Sequence, residues 1–131
     1  MFTNILIALF AIYSFKLLFR RFFSTPMSKE AIEKVQKLIA SHKVFVASKT
    51  YCPYCSAAKR TLSSIVKNDL FIIELNTIED GDEMQDALQE ITGQRTVPNI
   101  FIGGEHIGGN SELQSLGESK LKEKLKKAGA I

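Results

Sequence analysis

Residues 27–131 are predicted to form an α/β domain, a mixed sheet with helices on both faces. Short apolar runs of strand length lie at 43–47, 70–75 and 99–102, and the stretches between them carry apolar residues at helical spacing. The pair Gly103-Gly104 then turns the third run back into Glu105-His106-Ile107. The resulting order is α-β-α-β-α-β-β-α. Strand, crossover helix and strand make a parallel pair, and the closing hairpin adds antiparallel strands, so four strands share one mixed sheet.

Each element has a local reason. Ser28 is a good N-cap, and Ile32, Val35, Leu38 and Ile39 follow at helical spacing, giving a first helix that ends near Ser41-His42. Lys43–Ala47 reads as a buried strand and Ser48–Tyr51 as a loop. A helix follows from Cys52 to about Val66, with Ala57, Ala58, Leu62 and Ile65 inward and Pro53 in its first turn, where a missing N–H costs nothing. Leu70–Leu75 is the second strand. The Glu79-Asp80-Gly81-Asp82 cluster turns into a helix that begins at Asp82 or a neighbour, runs through Leu88 and Ile91, and stops at Gly93. After the hairpin, Gly108-Gly109-Asn110-Ser111 leads into one last helix with Leu113, Leu116, Leu121 and Leu125 inside. Lys120, Lys122, Lys124, Lys126 and Lys127 crowd its end, where cations suit the helix dipole and form a solvated face.

The net charge of +3 belongs to the first 26 residues, which hold Lys16, Arg20 and Arg21 and no acid. The rest of the chain balances, so nothing in it suggests the clustered basic face that nucleic acid requires. Residues 2–19 are strongly apolar up to Lys16, and Arg20-Arg21-Phe22-Phe23-Ser24 follows. Residues 1–26 therefore read as a targeting or anchor segment outside the fold, in one of three ways. A mitochondrial presequence fits the basic, acid-free composition and the arginine two residues before Phe23-Ser24. A membrane anchor is near the lower length limit for spanning a bilayer, and its following basic residues would keep the domain cytosolic. A cleaved secretory signal fits worst, because the charge follows the apolar run. Met27 stands at the boundary, and initiation there as well as at Met1 would yield a cytoplasmic and a mitochondrial form.

The only two cysteines are Cys52 and Cys55. A secreted disulfide scaffold would spread more cysteines along the chain, and structural zinc needs four ligands, whereas His42 and His106 are each isolated. A lone C-x-x-C beside a β-α-β pattern reads as a redox pair, the plain alternative being an inert buried pair. A disulfide is attacked by thiolate, not thiol. Cys52 sits where strand gives way to helix, and the free N–H groups of the first turn, with Lys49 close by, favour its anion. C-x-x-C thiols ionise at roughly pH 3.5 to 7.5, and Cys52 is expected in that range. Cys55 lies one turn down, about 5–6 Å away by Cβ spacing, more buried and protonated, placed to close the disulfide. Whatever favours the Cys52 anion favours the reduced state and makes the oxidised pair the better oxidant.

Ser48-Lys49-Thr50-Tyr51-Cys52-Pro53-Tyr54-Cys55, Thr96-Val97-Pro98-Asn99 and Gly108-Gly109 occur in the order and form of the motifs of dithiol glutaredoxins, which the chain resembles over about residues 28–128. It is most similar to fungal members. The resemblance implies a thioredoxin fold and a glutathione-dependent disulfide oxidoreductase, with Cys52 and Cys55 catalytic and glutathione a co-substrate rather than a tightly bound cofactor. It also implies a cis Val97-Pro98 bond facing the active cysteine, with the Val97 backbone pairing with glutathione like an added strand. Lys49 and Gln85 match positions that hold the glycine carboxylate, Thr96 lies in the same wall, and Tyr51 and Tyr54 flank the sulfur, half-buried packing being the plain alternative for Tyr51. Asn110 and Ser111 complete the glutathione site. The family often has Asp where Ser111 stands; a hydroxyl brings no full charge, so that contact is expected to be weaker by roughly 1 kcal/mol. Glu112, next on the helix, is expected to point about 100° away. Partners implied are glutathione and glutathionylated or disulfide-bonded proteins, with the domain a monomer and membrane contact only through residues 1–26. The alternative from another class is a glutathione-ligated [2Fe–2S] carrier. Members of that kind usually lack proline at the second motif position or end in Ser, so Pro53 and Cys55 argue against it.

Overall fold

The structure, a computed structural model, describes residues 2–23 and 26–131, with side chains for 4–14 and 29–131. The Arg20–Ser24 pattern and the Ser28 cap lie outside the described side chains. Helix α1 spans Phe2–Phe23, and its apolar residues from Ile5 to Tyr13 are exposed. Among the residues whose side chains are described, no helix is long and apolar enough to cross a membrane.

The domain follows as α2 (Pro26–Ser41), β1 (Val44–Ser48), α3 (Pro53–Ile65), β2 (Leu70–Glu74), a single 3-10 turn (Leu75–Thr77), α4 (Gly81–Thr92), β3 (Asn99–Ile102), β4 (Glu105–Gly108), α5 (Asn110–Ser115) and α6 (Gly117–Ala128). The strands lie in the order β2-β1-β3-β4. β1 and β2 are parallel, joined through α3, and β1–β3 and β3–β4 are antiparallel. The fold is thus the expected four-stranded mixed sheet of thioredoxin type.

Strand alternation assigns the two faces. Phe45, Ala47 and Phe101 face α2 and α4, where they meet Val35, Met84 and Leu88. Their neighbours Val44, Val46, Ile100 and Ile102 face the other way, onto Ala58 and Leu62 of α3, Leu113 of α5 and Leu125 of α6. Phe45 anchors the first face, with the Phe71 and Phe101 rings each 5.9 Å from its own.

Two boundaries differ from the sequence expectation. α2 starts at Pro26, before Ser28, a favourable first helical residue because its φ is already helical. The last helix is two. Gly117 adopts φ +74°, which cannot continue a helix, so α5 closes on a tight Leu116 N–H to Leu113 bond of 3.3 Å and α6 restarts. α4 also begins against the 3-10 turn. A Cβ at Gly81 would stand 1.7 Å from the Leu75 carbonyl oxygen, so only glycine permits that approach.

Candidate active site

Cys52 is the N-cap of α3, in extended conformation with φ −91° and ψ 115°, followed by Pro53 at the first helical position. Its Sγ accepts from the Cys55 backbone N–H at 3.2 Å, and its carbonyl accepts from the Ser56 N–H at 3.1 Å. The cap therefore places sulfur where a side-chain oxygen ordinarily caps a helix, in reach of the free donors of the first turn. The loop before it is held in two places. Cys52 N donates to the Lys49 carbonyl at 3.1 Å. Asn76, beyond β2, accepts from Thr50 N at 3.0 Å and donates to Thr50 Oγ1 at 2.7 Å.

The opposite wall is the loop before β3. Val97-Pro98 is cis, and the Cys52 thiol points at the Val97 carbonyl, 3.7 Å away. Gln94 staples this loop, its Nε2 donating to the Thr96 carbonyl at 3.1 Å and to the Pro98 carbonyl at 3.0 Å. Gln85 on α4, almost fully buried, donates to the Arg95 carbonyl at 2.8 Å and ties the same loop to the helix layer.

The two thiols are free and occupy different environments. Cys55 is fully buried, and its thiol is pushed up to about 11, first by burial and then by the neighbouring Cys52 side chain. The Lys49 backbone N–H and the Ser48 hydroxyl pull in the opposite direction without prevailing. Cys52 is partly exposed. One sulfur is thus reachable and aimed outward beside a carbonyl, and the other is held protonated behind it.

Cys52, Cys55, Val97 and Pro98 lie together, and Lys49 meets them through its backbone. Lys49 is half-buried and makes no ion pair among the described residues, whereas Lys59, the other nearby cation, is bound to Glu74 at 2.7 Å. Tyr51 and Tyr54 are 70% and 68% exposed, so neither is a half-buried packing residue. Thr96 is exposed on the same loop. Asn110 Oδ1 accepts from Gln114 at 3.1 Å, and Gln114 also reaches Thr61 of α3 at 2.9 Å. Ser111 is exposed on the first turn of α5 and lines a cleft with His106 and Lys124.

Glu112 does not simply point away. Its carboxylate folds back and accepts from Gly109 N at 3.0 Å, a capping arrangement legible as an acid three residues after the cap. Gln94 and Asn76 were missed altogether, since nothing in their local sequence marks them. Among the described residues, no group of three or more His, Cys, Asp or Glu side chains is placed to hold a metal.

The glutaredoxin family pattern matches residues 44–107. Over 102 residues the chain is 51% identical to glutaredoxin-1 of Saccharomyces cerevisiae, covering 76% of this chain and 93% of that one. A glutaredoxin of Ricinus communis is 47% identical over 102 residues, covering 77% and 99%. Among solved structures, a buckwheat glutaredoxin–glutathione complex superposes with a TM-score of 0.77 at 44% identity, over 82% of this chain and 98% of that one. With its reactive-centre geometry and this degree of likeness along nearly the whole length of those relatives, the chain belongs to the glutaredoxin family.

Proposed function

We infer that this chain is a glutathione-dependent thiol–disulfide oxidoreductase that reduces protein–glutathione mixed disulfides and protein disulfides through Cys52. The carrying observation is the Cys52 sulfur at the head of α3, bonded by the Cys55 N–H at 3.2 Å and facing the Val97 carbonyl. An anion there is met by backbone donors that are already in place. The buckwheat relative bound to glutathione supports the same ligand here.

In the monothiol route the Cys52 thiolate attacks the glutathione sulfur of a mixed disulfide. The protein sulfur leaves as thiolate, and glutathione stays on Cys52. A second glutathione thiolate attacks that sulfur, releasing oxidised glutathione and restoring Cys52. In the dithiol route Cys55 displaces a bound protein thiol and closes the Cys52–Cys55 disulfide. Lys49, Gln85 and Thr96 are assigned to the glycine carboxylate end of glutathione, the Val97-Pro98 backbone to its cysteine, Tyr54 to the rim beside the sulfur, and Asn110 and Ser111 to the γ-glutamyl end.

The test pairs two assays of the full chain, turnover of a glutathionylated protein and reduction of a protein disulfide, each with glutathione. Cys55→Ser is expected to keep the first and lose most of the second. Loss of both would overturn the monothiol step.

The domain assignment is residues 1–26 as an N-terminal segment and 27–131 as the redox domain, with mitochondrial and cytoplasmic forms starting at Met1 and Met27. The acid-free composition of residues 1–26 supports it. N-terminal sequencing of protein from each compartment tests it, and a single species beginning at Met1 everywhere rules it out. The leaning toward fungal members rests on a narrow margin, 51% identity for the Saccharomyces cerevisiae relative against 47% for that of Ricinus communis.

A further inference from the structure

The parallel ladder of β1 and β2 ends at the register pair Ser48 and Glu74. Two residues further along each chain stand Thr50 and Asn76. By then the chain after β2 has entered the 3-10 turn Leu75–Thr77, so the strands no longer run side by side. The Asn76 side chain spans the gap. Its Oδ1 accepts from Thr50 N at 3.0 Å, and its Nδ2 donates to Thr50 Oγ1 at 2.7 Å. A carboxamide carries the same kinds of donor and acceptor as a peptide group, so it can stand in for one more rung. Thr50 has a donor to spare. It is the first central residue of a turn closed by Cys52 N–H on the Lys49 carbonyl, and that position's N–H has no bond inside the turn. Asn76 itself is exposed, but its backbone is anchored from the helix layer. Leu75 beside it is buried, Thr77 Oγ1 donates to the Glu74 carbonyl at 2.8 Å, and Gly81 of α4 packs directly on the Leu75 carbonyl. The turn has Lys49 at its start and Cys52 at its end, and the two are held differently. Cys52 has the bonds of α3, from Cys55 N to its Sγ and from Ser56 N to its carbonyl. Lys49 lies outside that helix and takes its place from the turn.

We propose that Asn76 is a positioning residue for glutathione recognition. Acting through Thr50, it holds the turn so that Lys49 meets the glycine carboxylate of glutathione, while the reactivity of Cys52 is left to α3. This rests on the oxidoreductase reading and on the assignment of Lys49 within it. Without Asn76 the exposed turn must be ordered when glutathione binds, and that cost weakens binding without touching the sulfur.

The experiment follows a single transfer in the full chain, from a glutathionylated peptide to reduced Cys52. The Cys52 thiolate bonds to the glutathione sulfur, and the peptide sulfur leaves as thiolate. The glycine carboxyl of the glutathione is either free or blocked as its ethyl ester. In Asn76→Ala the half-saturating concentration of the free-carboxyl peptide is expected to rise about fivefold to tenfold, with the maximal rate changed less than about twofold. With the ester, which lacks that anion, variant and wild type are expected to agree within about twofold. Alkylation of Cys52 by iodoacetamide, a neutral probe, is expected to be equally unaffected, which also reports an intact fold. Thr50→Val removes the hydroxyl bond and keeps the backbone one, so its effect is expected to be smaller, and the two substitutions together are expected to be less than additive. No rise in Asn76→Ala, an equal rise with acid and ester, a matching loss of alkylation rate, or full additivity with Thr50→Val overturns the proposal. A wild-type chain that takes glutathione from neither peptide would instead overturn the underlying oxidoreductase reading.

Discussion

The two ends of the central sheet are built from similar materials and finished in opposite ways. At the end where β1 and β2 stop, Cys52 points outward and the Ser48 hydroxyl and one Glu74 oxygen stay unbonded. At the other end Asp69, in left-handed conformation at φ +64°, spends all its acceptors. Its carboxylate takes His42 Nδ1 at 2.7 Å and Lys43 N at 2.9 Å, and its carbonyl takes Val44 N at 3.2 Å. His42 stacks on Phe71 at 4.1 Å, and the Ala130 carbonyl accepts the Lys67 and Asn68 N–H groups. The closed end fixes where β1 and β2 begin, and the open end holds reactive groups in place without satisfying them. Reactivity sits where the fold has left bonds unmade, on strands whose far ends are fully tied.

The sharpest way to break this contrast is at the open end. Cys52→Ser should remove both deglutathionylation and disulfide reduction, a loss on the order of a thousandfold or more, because the remaining cysteine, Cys55, is fully buried. Appreciable residual turnover in either assay would mean that Cys55 can act alone. A smaller effect is expected from Gln94→Ala, which leaves the Thr96 and Pro98 carbonyls without their staple. At about 1 kcal/mol per hydrogen bond, the thermal midpoint should fall by several degrees, and the apparent affinity for glutathione should weaken by up to roughly five- to thirtyfold because the loop must be re-ordered on binding. An unchanged KM would mean that the loop holds its shape without Gln94.

The closed end should respond in stability rather than activity. The His42 imidazole, followed by the Lys43 N–H, holds the Asp69 carboxyl below its ordinary value. A depressed folded-state value stabilises fully above the unfolded value, about 3.9, and that contribution disappears as pH falls through the folded value. Asp69→Asn, which tolerates the left-handed backbone, should therefore lower the melting temperature at pH 7, and the gap to wild type should close below about pH 4. A gap independent of pH would show that the ionised carboxylate contributes nothing there.

The features legible in the sequence were those with short reach. Cys52 and Cys55 are three residues apart, so the first helical turn alone places them together, and Pro53 marks that turn's start. Alternation along Val44-Phe45-Val46-Ala47 assigns the two faces before any partner is known. Gly117 was a visible helix breaker, but the leucine spacing on either side continued through it and masked the break between α5 and α6. Other contacts had no local mark. Asn76 meets Thr50 across 26 residues, beyond the parallel pairing of β1 with β2, and Lys59 meets Glu74 across 15, where α3 packs over the end of β2.

From its sequence alone this chain was committed to a nucleophile at a helix start, a resolving thiol one turn below it, and an alternating strand pattern that needs helices on both sides. Those properties depend on backbone geometry over a few residues, which the order of side chains specifies directly. Folding added what depends on depth and register. It buried Cys55, aligned Ser48 with Glu74, and left an oxygen on each without a partner. Burial and strand register are set by the packing of distant segments, so no single stretch of the chain carries them.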